Sequence, residues 1–204
     1  MDHLLELIHR YPVLSVCEKD IEAVYEALTV CFEKDNRLYI CGNGGSAADA
    51  LHIVGELVKS FVLNRSIAPE FIARAEDGFY ENLQGSLPAF ALVENTALAT
   101  AFANDCDPEF VFAQQVYAYA RDGDCVLGIS TSGNSENVIN AFKAAKGRGA
   151  TTIGLGGGTG GKMEAICDYS IIAPETDTNR IQELHLPIYH TLCLMIEQHF
   201  WGVK

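Results

Sequence analysis

Five short apolar runs restrict this chain to a narrow set of folds. They are Leu38–Cys41, Ala89–Val93, Cys125–Ser130, Thr151–Leu155 and Ser170–Ala173, each closed by small or turn residues. None alternates apolar with polar side chains, so as strands they would be buried on both faces. Helical patterns lie between most of them: Ser46–Phe61, Asn95–Ala103, Glu109–Arg121 and Ser135–Arg148. A short helix is expected near Lys162–Ile166 and a long closing one from Asn179 to Phe200. Strands that alternate with helices imply parallel crossovers. The expected fold is a doubly wound α/β sandwich, whose ligands bind at the carboxyl ends of the strands near a topological switch point.

Two helical patterns precede the first strand, over residues 2–10 and 18–34, with Pro12 between them. Leu4, Leu5 and Ile8 form one apolar stripe; Ile21, Val24, Tyr25, Leu28, Cys31 and Phe32 form the other. The 204 residues suit one domain with one core. The stretch Asn64–Pro88 is polar and irregular, with Pro69, Gly78, Gly85 and Pro88; such a loop inside a compact domain is a lid or an insertion. A net charge of −13 repels phosphate backbones, which argues against nucleic acid as a partner. A single anionic small molecule can still be held by local backbone N–H groups. The seven cysteines (Cys17, Cys31, Cys41, Cys106, Cys125, Cys167 and Cys193) are odd in number, scattered and without a CxxC pair. They read as reduced thiols of a cytoplasmic protein. The opening MDHLLELIHRYPVL lacks the basic region and long apolar stretch of a signal peptide. No apolar run approaches the roughly 20 residues that span a bilayer.

Three glycine loops follow strands. Gly42-Asn43-Gly44-Gly45-Ser46-Ala47 satisfies the dinucleotide pattern GxGxxA, but no second strand with a closing acid stands about 20 residues on, so no nucleotide cofactor is expected. The second loop, Ser130-Thr131-Ser132-Gly133-Asn134-Ser135, places four hydroxyls at the start of a helix and contains no Lys or Arg. Hydroxyls and helix-end N–H groups donate to phosphate oxygens, and the helix dipole favours the charge, so a monoester phosphate fits there. A plain N-cap explains Ser135 but not the other three hydroxyls. The third loop, Gly156 to Met163, imitates the P-loop GxxxxGK, but Met163 replaces the magnesium-binding Ser or Thr. It is read as a flexible turn into a short helix.

His52 and Glu56 are four residues apart on one helix face. Gln182 and His190, eight apart on the last helix, also share a face, while Glu183 and His185 point elsewhere. Two such faces can form a zinc site or supply an acid and a base for proton transfer. Spacing alone does not bring the two helices together, and both readings stay open.

The segments GNGGSAADALHIVGEL, ISTSGNSENVINAF, GGKMEAICDYSIIAP and RIQELHLPIYHTLCLMIEQ, in this order, resemble the phosphoheptose isomerase family of the sugar isomerase (SIS) fold. The resemblance covers most of the chain and is weakest at Asn64–Pro88. It implies a flavodoxin-like, three-layer α/β/α sandwich on a five-stranded parallel sheet with added N-terminal helices. It implies a single domain over 1–204, whose 1–35 segment packs on that domain or on neighbouring subunits. The implied activity is an aldose–ketose isomerase of heptose biosynthesis, converting sedoheptulose 7-phosphate to a D-glycero-heptose 7-phosphate. Glu56 would be the base and His190 its acid–base partner. Ser46, Ser130, Thr131, Ser132 and Ser135 would hold the phosphate, with Asn43, Gly44, Glu94, Asn95 and Gln182 lining the substrate. Zinc, one per subunit, would sit on His52, Glu56, Gln182 and His190. The assembly would be a homotetramer with interfacial sites. Three positions depart from the family pattern: Asn95 stands where an aspartate is usual, Asn179 precedes RIQE in place of aspartate, and Asn64–Pro88 is longer than usual. These touch substrate recognition, so another phosphosugar remains an alternative. So does a non-catalytic tetramer of the replication-initiator-binding type, although that relative lacks the glutamate and histidine kept here.

Overall fold

The structure, a computed structural model, describes residues 3–202, so Asp2 of the first helical pattern and the extreme ends of the expected domain lie outside the described residues. The five expected strands form: β1 Leu38–Gly42, β2 Ala89–Ala91, β3 Cys125–Ser130, β4 Thr151–Gly157 and β5 Tyr169–Ala173. All neighbours pair in parallel, in the order β2-β1-β3-β4-β5. The chain leaves β1 for the edge strand β2, then returns to the other side of β1 as β3. That reversal is the switch point. Gly42 at the end of β1 is in register with Ile129 near the end of β3, so the first two glycine loops emerge side by side. β2 is shorter than expected because the chain turns after Leu92, whose N–H still bonds the Ile40 carbonyl.

The helices are α1 His3–Arg10, α2 Glu18–Glu33, α3 Gly45–Val58, α4 Pro69–Ile72, α5 Thr96–Asp105, α6 Val111–Tyr119, α7 Glu136–Gly147, α8 Gly161–Ile166 and α9 Thr178–Trp201. The pattern read as one helix over Glu109–Arg121 opens instead as a 3-10 turn, Pro108–Phe110, and its helix ends at Tyr119.

Strand alternation assigns the layers. Leu38, Ile40, Cys125, Leu127, Ile129, Ile153, Leu155 and Ile171 face one side, where α1, α2, α3 and α9 pack. Tyr39, Cys41 and Val126 face the other, against α6, α7 and α8. Each fully buried Leu, Ile or Phe on these faces contributes roughly 1.5–3 kcal/mol of transfer free energy. Glycines of β4 bring α8 close: a Cβ on Gly156 would fall 2.5 Å from Met163 Cε.

Leu14, Ile21, Val24 and Leu28 share the first core with Ile188, Leu192 and Ile196 of α9, so the described part of the N-terminal segment packs on its own domain. The stripe on α1 differs from expectation. Leu4 and Leu7 are buried and Ile8 half-buried, while Leu5 is exposed.

The segment after α3 is anchored more firmly than its composition suggests. Arg65 and Glu197 are fully buried and meet at 2.7 Å. Glu197 also accepts the N–H groups of Phe61, Val62 and Leu63. The Trp201 indole donates to the Ser66 carbonyl, and Arg65 lies over its ring. The short helix α4 and a 3-10 turn, Phe79–Asn82, break up the expected irregular run. Through Arg65 and Trp201 the segment is tied to the C-terminal ends of α3 and α9. The glycine loop lies at the opposite end of α3.

Candidate active site

The first loop turns from β1 into α3 at Gly44, whose φ of +56° is left-handed backbone that glycine supplies without strain. The turn leaves Ser46 in the first turn of α3, 4 % exposed. The second loop turns from β3 into α7. Ser130 is equally buried, and its Oγ lies 3.0 Å from Ser135 Oγ at the helix N-cap. Ser132 is exposed and its Oγ accepts the Asn134 N–H at 3.2 Å. Thr131 lies beside it, half-buried. Two helix N-termini and these hydroxyls therefore share one crevice at the switch point, the arrangement that binds phosphate.

One residue in this crevice escaped the sequence reading. Asn137 forms a reciprocal amide pair with Asn43, with both hydrogen bonds at 2.9 Å. The pair ties the first loop to the first turn of α7. The only signal was its place two residues past the last loop serine.

The third glycine loop is a buttress. Gly133 has φ +65°, and a Cβ there would fall 1.8 Å from the Gly160 carbonyl oxygen. Met163 N–H bonds the Gly133 carbonyl, and Lys162 N–H bonds Asn134 Oδ1. Lys162 Nζ pairs with Glu136 at 3.1 Å instead of reaching for a phosphate. His185, fully buried, bonds the Gly156 carbonyl through Nε2 at 3.1 Å, and burial pushes its pKa down. Its neighbour in the sequence motif, Glu183, is exposed.

Glu94 and Asn95 follow β2 at the same sheet edge. Glu94 is exposed, and Asn95 accepts the Leu98 N–H, so its carbonyl is engaged in capping α5.

The acid–base candidates come together between α3 and α9. His52 Nε2 stands 3.3 Å from Glu56 Oε1 and 3.5 Å from His190 Nε2. Lys59 Nζ lies 3.4 Å from Glu56 Oε2. Burial and His52 hold His190 below its ordinary pKa, against the opposing pull of Glu56. Gln182 does not join them. A Cβ on Gly45 would fall 2.5 Å from its amide nitrogen, so the side chain lies beside the first glycine loop. Eight helical residues keep it about 12 Å along the axis from His190, and sharing a face is not sharing a point.

This bears on zinc. Taken pairwise, the His52–Glu56 and His52–His190 separations are those between ligands of a tetrahedral ion with bonds of about 2.0–2.1 Å. The fourth donor is absent, however, and among the described residues no group of three or more His, Cys, Asp or Glu side chains is arranged to hold an ion. The set His52, Glu56, Gln182 and His190 therefore does not fit a closed zinc site within one chain.

Comparison with known proteins decides the family. The SIS domain family model matches residues 11–157. The phosphoheptose isomerase of Nitratiruptor sp. is 44% identical over 180 residues, covering 87% of this chain and 86% of that protein. That of Trichlorobacter lovleyi is 43% identical over 192 residues, 94% of this chain and 84% of that one. The chain belongs to the phosphoheptose isomerase family. Solved phosphoheptose isomerases superpose accordingly: that of Neisseria gonorrhoeae has a TM-score of 0.77 at 34% identity, covering 96% of this chain and 95% of that one. That of Francisella tularensis reaches 0.79 at 30% identity, covering 93% and 91%. The five-stranded parallel sheet and its helical layers are thus the SIS fold. Among the described residues no helix is long and apolar enough to cross a membrane.

Proposed function

We propose that this chain is an aldose–ketose isomerase that interconverts sedoheptulose 7-phosphate and a D-glycero-heptose 7-phosphate through an enediol. The observation that carries the reading is that α3 bears both a hydroxyl-lined loop at its N-terminal end and, with α9, a Glu56–His52–His190 cluster farther along. Relatives named for this reaction match nearly the whole chain, which supports the same substrate.

The chemistry needs few groups. The phosphate is gripped by Ser46, Ser130, Thr131, Ser132 and Ser135 and positions the sugar without reacting. The Glu56 carboxylate removes the C1 proton of the ketose. The C–H electron pair becomes the C1–C2 double bond, and the carbonyl electrons move onto O2. His190, held neutral near pH 7 by its lowered pKa, has one donor and one acceptor nitrogen. It gives a proton to O2 and takes one from O1. Glu56 then returns its proton to C2, leaving the aldehyde at C1.

Self-association belongs to the proposal. Ten residues of α3 separate Ser46 from Glu56, about 15 Å along the axis, and an extended seven-carbon phosphate covers only part of that span. Leu51, Val58 and Leu186 are exposed around the cluster. Both features suit a homotetramer with sites between subunits. The free thiols of all seven cysteines suit a reducing, cytoplasmic setting.

Proton NMR of sedoheptulose 7-phosphate with the protein in deuterated water tests the activity. An aldose anomeric signal with deuterium at C2 is the expected result. The absence of both aldose and exchange would overturn the proposal.

A further inference from the structure

Asn43 and Asn137 meet between the two loops that line the crevice. Asn43 Nδ2 donates to Asn137 Oδ1 and Asn137 Nδ2 donates to Asn43 Oδ1, each at 2.9 Å. Local structure gives no reason for either asparagine. Gly44, with its positive φ, makes the turn of the first loop. Asn137 stands in the first turn of α7, where Asp or Glu would suit the helix dipole better. Asn43 is exposed and Asn137 half-buried, so their mutual bonds replace bonds to water and add little stability.

A primary amide has two N–H donors and two acceptor lone pairs. The pair uses one of each on both residues and closes a ring. What is left lies on two edges of that ring. Each edge offers an N–H from one residue and a carbonyl lone pair from the other, on atoms 2.9 Å apart. Turning both amides over together keeps their bonds and exchanges the edges, so a ligand meets the same offer in either orientation. A hydroxyl both donates and accepts, and so does a neighbouring pair of hydroxyls. Lys and Arg only donate and carboxylates only accept.

We infer that Asn137 is a specificity-determining residue: with Asn43 it forms a subsite for the hydroxyls next to the phosphate of a phosphorylated sugar or polyol. Asn43 lies three residues before Ser46 and Asn137 two after Ser135, so a phosphate gripped by those serines brings its first hydroxylated carbons to the pair. The subsite rests on the phosphate crevice of the proposed function and not on the isomerisation.

The test is calorimetric titration of the full chain with glycerol 3-phosphate and with propyl phosphate, which has the same carbon chain without hydroxyls. The wild type should bind glycerol 3-phosphate about tenfold more tightly, the upper end of what one net hydrogen bond contributes. Asn137→Leu keeps the branched shape without donor or acceptor. It should erase the preference and leave propyl phosphate affinity near wild type. KM for sedoheptulose 7-phosphate should rise about tenfold, more than kcat falls. Asn137→Ala, which is smaller, repeats the test free of any clash. Equal affinities for the two probes in the wild type, or none for either, would overturn the inference. So would variants that keep the preference, or that lose affinity for both probes alike, because the role would then be structural. A preference that vanishes in both variants, in a chain that turns over no heptose phosphate, would uphold the subsite and defeat the isomerase reading. Turnover without the preference would do the reverse.

Discussion

Arg65 and Glu197 meet at 2.7 Å with both side chains fully buried, and the pair joins α9 to the end of α3 that carries Glu56. Arg65 also donates to the backbone carbonyls of Glu56 and Leu57, two of the acceptors left open at a helix C-terminus. Removing one partner strands the other as a buried charge. Arg65→Ala or Glu197→Ala should therefore cost about 3–5 kcal/mol, read by chemical denaturation. A loss under 1 kcal/mol would mean that water reaches the pair.

The same carboxyl gives a pH dependence of stability. Burial raises the pKa of Glu197, but the N–H groups of Phe61 and Val62, the Arg65 guanidinium and the Leu63 N–H outweigh it and hold the group below its usual 4.5. A depressed folded pKa contributes stability above the unfolded value, and that stability is lost as pH falls through the folded one. Wild-type stability should decline below about pH 4.5, and Glu197→Gln should flatten that part of the curve. Parallel curves for the two proteins would reject the assignment.

Much of this fold and part of the site could be read before any coordinates. The runs at β1, β3 and β4 lack polar alternation because both sheet faces are covered, so they announce themselves. Leu5 misled because one residue of helical phase separates the buried Leu4 from its exposed neighbour, and a one-turn stripe does not fix that phase. Arg65 was illegible because a buried arginine looks like any loop charge until its partner, 132 residues away, is in place. Gln182 was placed with His190 by periodicity, which gives direction around a helix axis but not position along it. Tyr189 drew no reading of its own, since its hydroxyl partners lie on another helix.

Gly133→Ala should damage the phosphate crevice. The position needs φ +65°, and the added methyl would meet the Gly160 carbonyl. Left-handed strain alone costs on the order of 1 kcal/mol, and the clash adds to it. KM for the phosphosugar should rise more than kcat falls, because in the proposed reaction the loop grips the phosphate and not the reacting carbons. An unaltered KM would separate this loop from substrate binding.

Glu56→Gln and Ser132→Ala should split binding from chemistry. The amide keeps the shape of Glu56 but cannot take a proton, so turnover should fall by at least about 100-fold while phosphosugar affinity stays near wild type. Ser132→Ala should chiefly weaken binding. Isothermal titration with the substrate and steady-state rates read the two effects, and full activity in Glu56→Gln would remove it as the base.

The rate should also report His190. Its lowered pKa means that the neutral form persists into mildly acidic solution. The acid limb of kcat against pH should therefore have its midpoint below 6.5, the ordinary histidine value. The limb should change in His190→Gln. A midpoint above 6.5 would show that the pull of Glu56 outweighs burial and His52, and the proton shuttle would need another residue.

Leu51 and Leu186 offer the sharpest test of assembly. Each is 41 % exposed, one beside His52 on α3 and the other a turn before His190 on α9. An apolar rim around a polar cluster is what a surface covered by a second copy shows. Leu51→Glu combined with Leu186→Glu would bring like charges together across such a contact. Light scattering should then find a species smaller than the proposed wild-type tetramer, folded by circular dichroism yet inactive, since under that proposal each site loses a wall that a neighbour supplies. A wild-type monomer with full activity would instead place the whole reaction within one chain.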